Sequence, residues 1–241
     1  MRIAAALLLP MALIASACSE GPAAPLAARP SVVEATPPVA APSPTPAPPV
    51  RWHVAIRRLP LTVRDGMIAT GTWHEGCPVP LHDLRLVTLS YWGFDGVGHV
   101  GRLVTNRDAA EPIATALHAL WNARFPIRRM IPIQAFGAND ERSMAKDNTA
   151  VFNCRDVRGA SVWSQHAYGR AIDINPRENP EVKGTVVLPK NAHAFVDRSR
   201  KRKGMIFPGD VVVRAFTAAG WGWGGYWHSL KDWQHFSANG R

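Results

Sequence analysis

Hydrophobic and polar positions divide the chain into three stretches. Ile3 to Ile14 is an almost unbroken apolar run behind the positive start Met1-Arg2, and it gives way to the small residues Ala15-Ser16-Ala17. A run this short does not span a bilayer; charge, apolar stretch and small residues in that order predict a signal peptide over 1–17. From Gly21 to Val50 there is no apolar periodicity, and Pro and Ala dominate (TPPVAAPSPTPAPPV at its end). Such a segment cannot bury enough surface to fold, so 18–50 reads as a disordered, semi-rigid linker; at about 3.1 Å per residue, roughly 30 residues reach ~90 Å. One folded domain is expected over 51–241, long enough for a sizeable core.

Within that domain the period changes several times. Residues 51–62 and 84–92 (LRLVTLSYW) are rich in β-branched and aromatic residues and predict strands. Between Asp108 and Arg124, Ile113, Leu117, Leu120 and Trp121 fall on one helical face. Asp108 is expected to cap this helix with Glu111 three residues on, and Phe125-Pro126 to end it. A second helix is expected from Asp210 to Gly220, although Val211-Val212-Val213 reads equally as a strand. The tail GWGWGGYWHSLKDWQHFS predicts turns and a closing strand. Helices and strands do not alternate regularly, which points to an α+β fold rather than a doubly wound sheet.

The formal net charge of +10 favours an anionic partner. Nucleic acid is excluded as the expected one, because an exported chain rarely meets it and basic and aromatic residues are not interleaved. An anionic wall or surface polymer fits better. The densest basic run, Arg198 to Lys203, is expected to be a solvated loop. Cys18 follows the small residues directly and resembles the lipobox cysteine of bacterial lipoproteins, which implies lipidation and a membrane anchor; Ala15 stands where that pattern usually has Leu, Val or Ile. Cys77 and Cys154 remain, and in an oxidising compartment they are expected to pair, stabilising the fold by about 4 kcal/mol. Cys154 as a metal ligand is the weaker reading, since a lone thiolate is unusual beside a His/Asp set.

The candidate chemistry lies in SQHAYGRAIDINP and KDWQHFS. GRAIDIN alternates, so a strand places Asp173 with Ala171 on one face and Ile172 with Ile174 on the other. A carboxylate among apolar neighbours on a buried strand needs a partner. Gly169 is expected to allow a tight turn between His166 and Asp173. Asp232 and His235 lie three apart, on opposite sides of an extended strand, so a bend or helical turn is needed for both to face one pocket. Two histidines and one carboxylate, His166, Asp173 and His235, are the set that leaves a catalytic zinc one open position, with Asp232 as a spare carboxylate beside it. The bland alternative is a hydrogen-bonded core pair and a stray surface histidine. His99 and His228 are candidates to line the groove, and among Trp221, Trp223, Trp227 and Trp233 one or two are candidates for a substrate platform.

SxHxxGxAxD, followed some sixty residues later by an acidic residue, an aromatic, any residue and His-Phe, resembles the zinc D-alanyl-D-alanine carboxypeptidase family, which includes VanY-type D,D-carboxypeptidases and phage L-alanyl-D-glutamate endolysins. The resemblance spans Arg128 to Phe236. It implies the hedgehog/D,D-peptidase fold, a small antiparallel sheet flanked by helices, with one zinc per chain. It implies His166, Asp173 and His235 as ligands, Asp232 as general base and Ser164 as a substrate neighbour. It further implies a transition-state arginine upstream, for which Arg155 is preferred over Arg142. The D,D-dipeptidase branch carries Glu where this chain has Asp232, whereas the endolysin-like branch uses Asp. Hydrolysis of a peptide bond in the peptidoglycan stem by a monomer is the expected activity, D-alanyl-D-alanine carboxypeptidase first and endopeptidase second. A tethered, non-catalytic wall-binding module with a structural zinc is the alternative of another class.

Overall fold

The computed structural model describes residues 51–241, so the signal peptide, the linker and Cys18 lie outside the described residues. Four α-helices, α1 (Leu61–Ala69), α2 (Ala110–Asn122), α3 (Asp140–Ala145) and α4 (Val211–Ala218), accompany short strands. Strands β1 (Val54–Arg58), β2 (Leu84–Trp92) and β3 (Gly98–Asn106) form an antiparallel sheet in that order. LRLVTLSYW is apolar almost throughout because both faces of β2 are covered. Leu84 and Leu86 join one buried cluster with Leu59, Met67 and Val104, while Val87 and Leu89 join another with Leu103 and α2. Alternation of side chains along a strand separates the two sets.

The remaining strands are β4 (Arg129–Met130), β5 (Asn148–Thr149), β6 (Ala171–Asp173), β7 (Glu181–Lys183), β8 (Val186–Leu188), β9 (Gly222–Trp223), β10 (Lys231–Asp232) and β11 (His235–Ser237). They form two three-stranded antiparallel sheets, β6-β11-β9 and β10-β7-β8, and a parallel pair β4-β5. The fold is thus α+β with small antiparallel sheets, compatible with the hedgehog/D,D-peptidase architecture. One cluster ties the site to the scaffold: Ile172 and Ile174 around β6 and Phe236 on β11 pack with Ile113, Leu117 and Leu120 of α2 and Phe216 of α4.

Several expectations need correction. The strand expected over 51–62 stops at Arg58, because Pro60 disfavours helical geometry before it and favours it after, and α1 begins at Leu61. The helix expected after Asp210 does form, and only the strand alternative for Val211-Val212-Val213 falls away: the Asp210 carboxylate accepts the Val213 N–H at 3.0 Å and caps α4, and Gly220, at φ 81°, follows its end. The capping box at Asp108 does not form. Ala109 occupies the N-cap without a side-chain bond, and Asp108 instead pairs with the Arg170 guanidinium.

The basic run is only partly a solvated loop. Arg200 to Lys203 are exposed, but Arg198 is half-buried and lies over the rings of Trp233 and Phe207 at 4.6 and 4.7 Å. Its guanidinium donates to the carbonyls of Glu178 and Ile206 and to Asn179 Oδ1. Burial pulls its pKa down to about 10. This arginine anchors the loop against the tryptophan that separates Asp232 from His235.

Candidate metal centre

His166 sits in a 3₁₀ turn, Gln165–Tyr168, whose N-cap is Ser164 and whose C-cap is Gly169. Gly169 has φ 64°, and a Cβ there would meet Asn106 N at 2.5 Å, so both conformation and space require glycine. The turn hands the chain into β6, which pairs with β11 so that Asp173 lies directly opposite His235 and Ile172 opposite Phe236. Cross-strand partners project to the same face, so one face of the pair carries the two polar groups while the other face buries the two apolar ones.

The three side chains converge. His166 Nε2 lies 3.3 Å from His235 Nδ1 and 3.3 Å from Asp173 Oδ2, and His235 Nδ1 lies 3.1 Å from Asp173 Oδ1. The outer nitrogens are taken: His166 Nδ1 donates to the Val151 carbonyl at 2.6 Å, and His235 Nε2 faces the Arg241 carbonyl at 3.4 Å. Neutral imidazoles arranged this way turn their lone pairs inward, where they meet each other and a carboxylate. Acceptors facing acceptors repel unless a cation lies among them. Tetrahedral bonds of 2.0–2.1 Å put neighbouring ligand atoms about 3.3 Å apart, so the observed separations fit a zinc-sized divalent ion. Backbone carbonyls on the outer nitrogens are the usual second layer that fixes a ligating imidazole's tautomer. Both histidines are 6 % exposed.

The electrostatics agree with a cation-seeking cluster. Burial alone would raise the Asp173 pKa, but His166 and His235 outweigh it and hold the carboxyl well below its usual range. Burial would lower His166, and the Asp173 charge and hydrogen bond outweigh it and raise it.

These residues open onto a cleft of about 750 Å³. Asp232 also lines it; burial, and then the nearby charges of Asp173 and Glu181, push its pKa well above the ordinary value against the pull of His235. Its Oδ1 is buried without a hydrogen-bond partner. Asp232 and His235 reach one cleft because β10 and β11 belong to different sheets, with Trp233 and Gln234 making the bend between them.

Arg155 lines the cleft and forms an ion pair with Asp140, which accepts a hydrogen bond from Asn153. Arg142 is exposed on α3 and does not line the cleft. Ser164 lines it as well, with its Oγ accepting the His166 N–H at 3.3 Å, so the hydroxyl braces the turn that carries the histidine. Cys77 and Cys154 form the expected disulfide. It fixes the 151–155 segment, which supplies both the carbonyl behind His166 and Arg155.

Other candidates fall elsewhere. His99 pairs with Asp95 and His228 is exposed; neither lines the cleft. Trp221 and Trp223 are buried in the core, and of the four tryptophans only Trp227 faces the cleft. Sequence reasoning missed Glu181, Asp140, Gln234, Arg158 and Lys183, which share the cleft. Glu181 is brought in by the pairing of β7 with β10, for which the local sequence carries no signal.

A family model described as D-alanyl-D-alanine carboxypeptidase matches residues 158–238. The matched segment contains His166, Asp173, Asp232 and His235 and leaves Arg155 and all three cysteines outside. The match supports, at a coarse level, a peptidase of the D-alanyl-D-alanine carboxypeptidase kind. Neither a curated protein nor a solved structure matches the chain.

Proposed function

We propose that the protein is a zinc-dependent hydrolase of the peptidoglycan stem peptide, acting first as a D-alanyl-D-alanine carboxypeptidase. The observation that carries this reading is the mutual spacing of the His166, Asp173 and His235 ligand atoms, all turned inward at 3.1–3.3 Å. When bound, zinc supplies Lewis acidity, polarising a carbonyl and acidifying water. Asp232 takes the proton from the attacking water and delivers it to the departing amine; burial raises its proton affinity, which suits a group that holds a proton between the two transfers. Arg155 offers its guanidinium to the developing oxyanion and is oriented by Asp140. Ser164 and the Val151 carbonyl hold His166 in register.

The presence of Asp232, rather than Glu, favours as second reading an L-alanyl-D-glutamate type endopeptidase. A non-catalytic wall-binding module is disfavoured by the presence of a spare carboxylate, Asp232, among the residues lining the cleft with the three candidate ligands. The protein is proposed to act as an exported monomer, anchored to a membrane through lipidated Cys18, with the basic surface drawn to the anionic wall.

Incubating the purified full chain with muropeptides, with and without chelator, and weighing the products tests the reading. A mass loss of one terminal alanine that chelator abolishes is expected. Intact muropeptides after prolonged incubation with zinc would overturn hydrolase function, and cleavage at an internal bond would select the endopeptidase.

A further inference from the structure

The basic run Arg198 to Lys203, which the proposed chemistry does not use, is arranged around aromatic rings. Arg128 and Lys203 lie over the ring of Phe94 at 3.9 and 5.8 Å, Arg202 and Arg177 over Phe195 at 5.2 and 5.8 Å, and Arg198 and Lys201 over Phe207 at 4.7 and 5.5 Å. Each ring gathers two like charges, whose mutual repulsion the ring face offsets only in part. The nearby acids leave the outer charges free: Glu178 is buried and taken by Arg177, Asp147 is buried behind Arg128, and Asp197 pairs with Arg200. Lys201, Arg202 and Lys203 are exposed, and among the described residues none of them makes an ion pair. The loop is also fixed at both ends. Asn179, fully buried, donates to the Gly204 carbonyl at 2.9 Å and accepts from the Arg198 guanidinium and the Ile206 N–H at 3.3 and 2.7 Å. Gly204 has φ 81°, and a Cβ there would collide with the Phe94 ring, whose own carbonyl accepts from Lys203 Nζ at 2.7 Å. A loop that merely met solvent would need none of these ties.

We propose that this loop is a binding surface for a linear polyanion of the cell envelope, with Lys201, Arg202 and Lys203 as its contacts. The inference rests on the exported, wall-directed reading and not on hydrolysis; it gives the attraction to the wall a definite place on the molecule. Fixed cations set in pairs suit a ligand whose anionic groups are themselves held at close spacing along a chain. Mobile lipid headgroups rearrange around any cationic patch and would require neither pinned ends nor shared rings. Contact of this kind holds the domain on an extended polymer while a separate set of residues, in the cleft, meets the peptide. Arg198 ties the loop to the scaffold of the site, since it lies over Phe207 and over Trp233.

The test measures binding of the full chain to labelled heparin, a sulfated glycan standing for the linear polyanion, by fluorescence anisotropy over a range of salt concentrations. Two variants remove the same charge. One is Lys201→Gln/Arg202→Gln/Lys203→Gln in the loop; the control is Arg57→Gln/Arg58→Gln/Arg64→Gln, exposed on β1 and α1. The loop variant should bind about 10- to 100-fold more weakly and with a shallower dependence on salt, as expected for three lost contacts to an anionic array, while the control changes by less than about threefold. Absence of heparin binding in the wild type overturns the proposal, as does equal weakening in the two variants, which would reduce the effect to net charge. Binding to vesicles of equal parts phosphatidylcholine and phosphatidylglycerol without binding to heparin would assign the loop to a membrane instead. Circular dichroism reports that each variant is folded; should the loop variant not fold, Lys201→Glu, which changes one exposed side chain, is compared with Arg64→Glu. Digestion of soluble muropeptides should be unchanged in the loop variant. Failure of that digestion in the wild type with heparin binding intact would sink the hydrolase alone, and the reverse result would sink this surface alone.

Discussion

Two buried carboxylate clusters lie in this domain, and they resolve the same electrostatic problem differently. At β6 and β11, Asp173 is surrounded by two imidazoles whose outer nitrogens face carbonyls, so with both rings neutral every inward atom is an acceptor. Beside α3, Asp147 and Glu178 are 2 % and 1 % exposed and meet arginines: Arg177 donates to Glu178 Oε1 at 2.7 Å, and Arg128 Nε lies 3.7 Å from Asp147 Oδ2. Burial and the Glu178 carboxylate push the Asp147 pKa up to about 8. The second cluster is therefore completed from within, by guanidinium groups and a retained proton. The first is completed only by something from outside. Burial of acids does not by itself mark a metal site; the absence of an internal donor does.

Breaking the first cluster gives the largest effect. Asp173→Asn removes the charge that balances a divalent ion while keeping the shape, and should lose both metal and hydrolysis. Metal analysis after dialysis is expected to give close to none bound, and stoichiometric zinc in this variant would contradict the ligand assignment. Asp232→Asn separates binding from turnover. It should retain zinc, while the rate falls by about 10²- to 10⁴-fold, the range of a lost general base. Full activity at unchanged metal content would remove Asp232 from the mechanism.

The difference between the clusters was only half legible in the sequence. His166 and Asp173 are seven residues apart on a turn and the strand it feeds, so local periodicity places them together, and the Asp232/His235 spacing required the bend that the β10-β11 junction provides. Glu181, Asp140 and the Asp147-Glu178 pair were not legible, because their partners come from separate segments joined by sheet pairing and loop packing. Asp108 shows the reverse failure: a sound local capping signal lost to a tertiary partner, Arg170. Helix α1 was missed because its periodicity is weak and Gly66 interrupts it, leaving Pro60 as the one boundary signal.

An intermediate effect is expected at the crosslink that supports the metal site from behind. Cys77 and Cys154 close a loop over 77 positions, and the bridge holds the strand-like segment next to Arg155 and Val151. Cys154→Ser together with Cys77→Ser should cost roughly 2–5 kcal/mol of stability. Denaturant unfolding of the oxidised wild type and the double variant reads this directly; coincident midpoints would mean that the bridge contributes nothing beyond packing.

At the second carboxylate cluster the effect is a slope, small at any one pH step. Asp147 is protonated in the folded chain up to about pH 8 and ionises near its ordinary value of 3.8 when unfolded. Between those two values the folded state binds the extra proton, so its contribution to stability is full below about pH 4, declines as pH rises and is lost once pH passes about 8. The decline is at most about 1.4 kcal/mol per pH unit. Asp147→Asn removes the titration while keeping the acceptor for the Arg177 N–H, supplies an amide donor toward Glu178 in place of the proton, and tolerates the left-handed backbone at φ 56°. Unfolding free energies measured from pH 4 to 9 should therefore fall more steeply in the wild type than in Asp147→Asn. Parallel curves would mean that Asp147 is ionised when folded, and the second cluster would then also need a cation from outside.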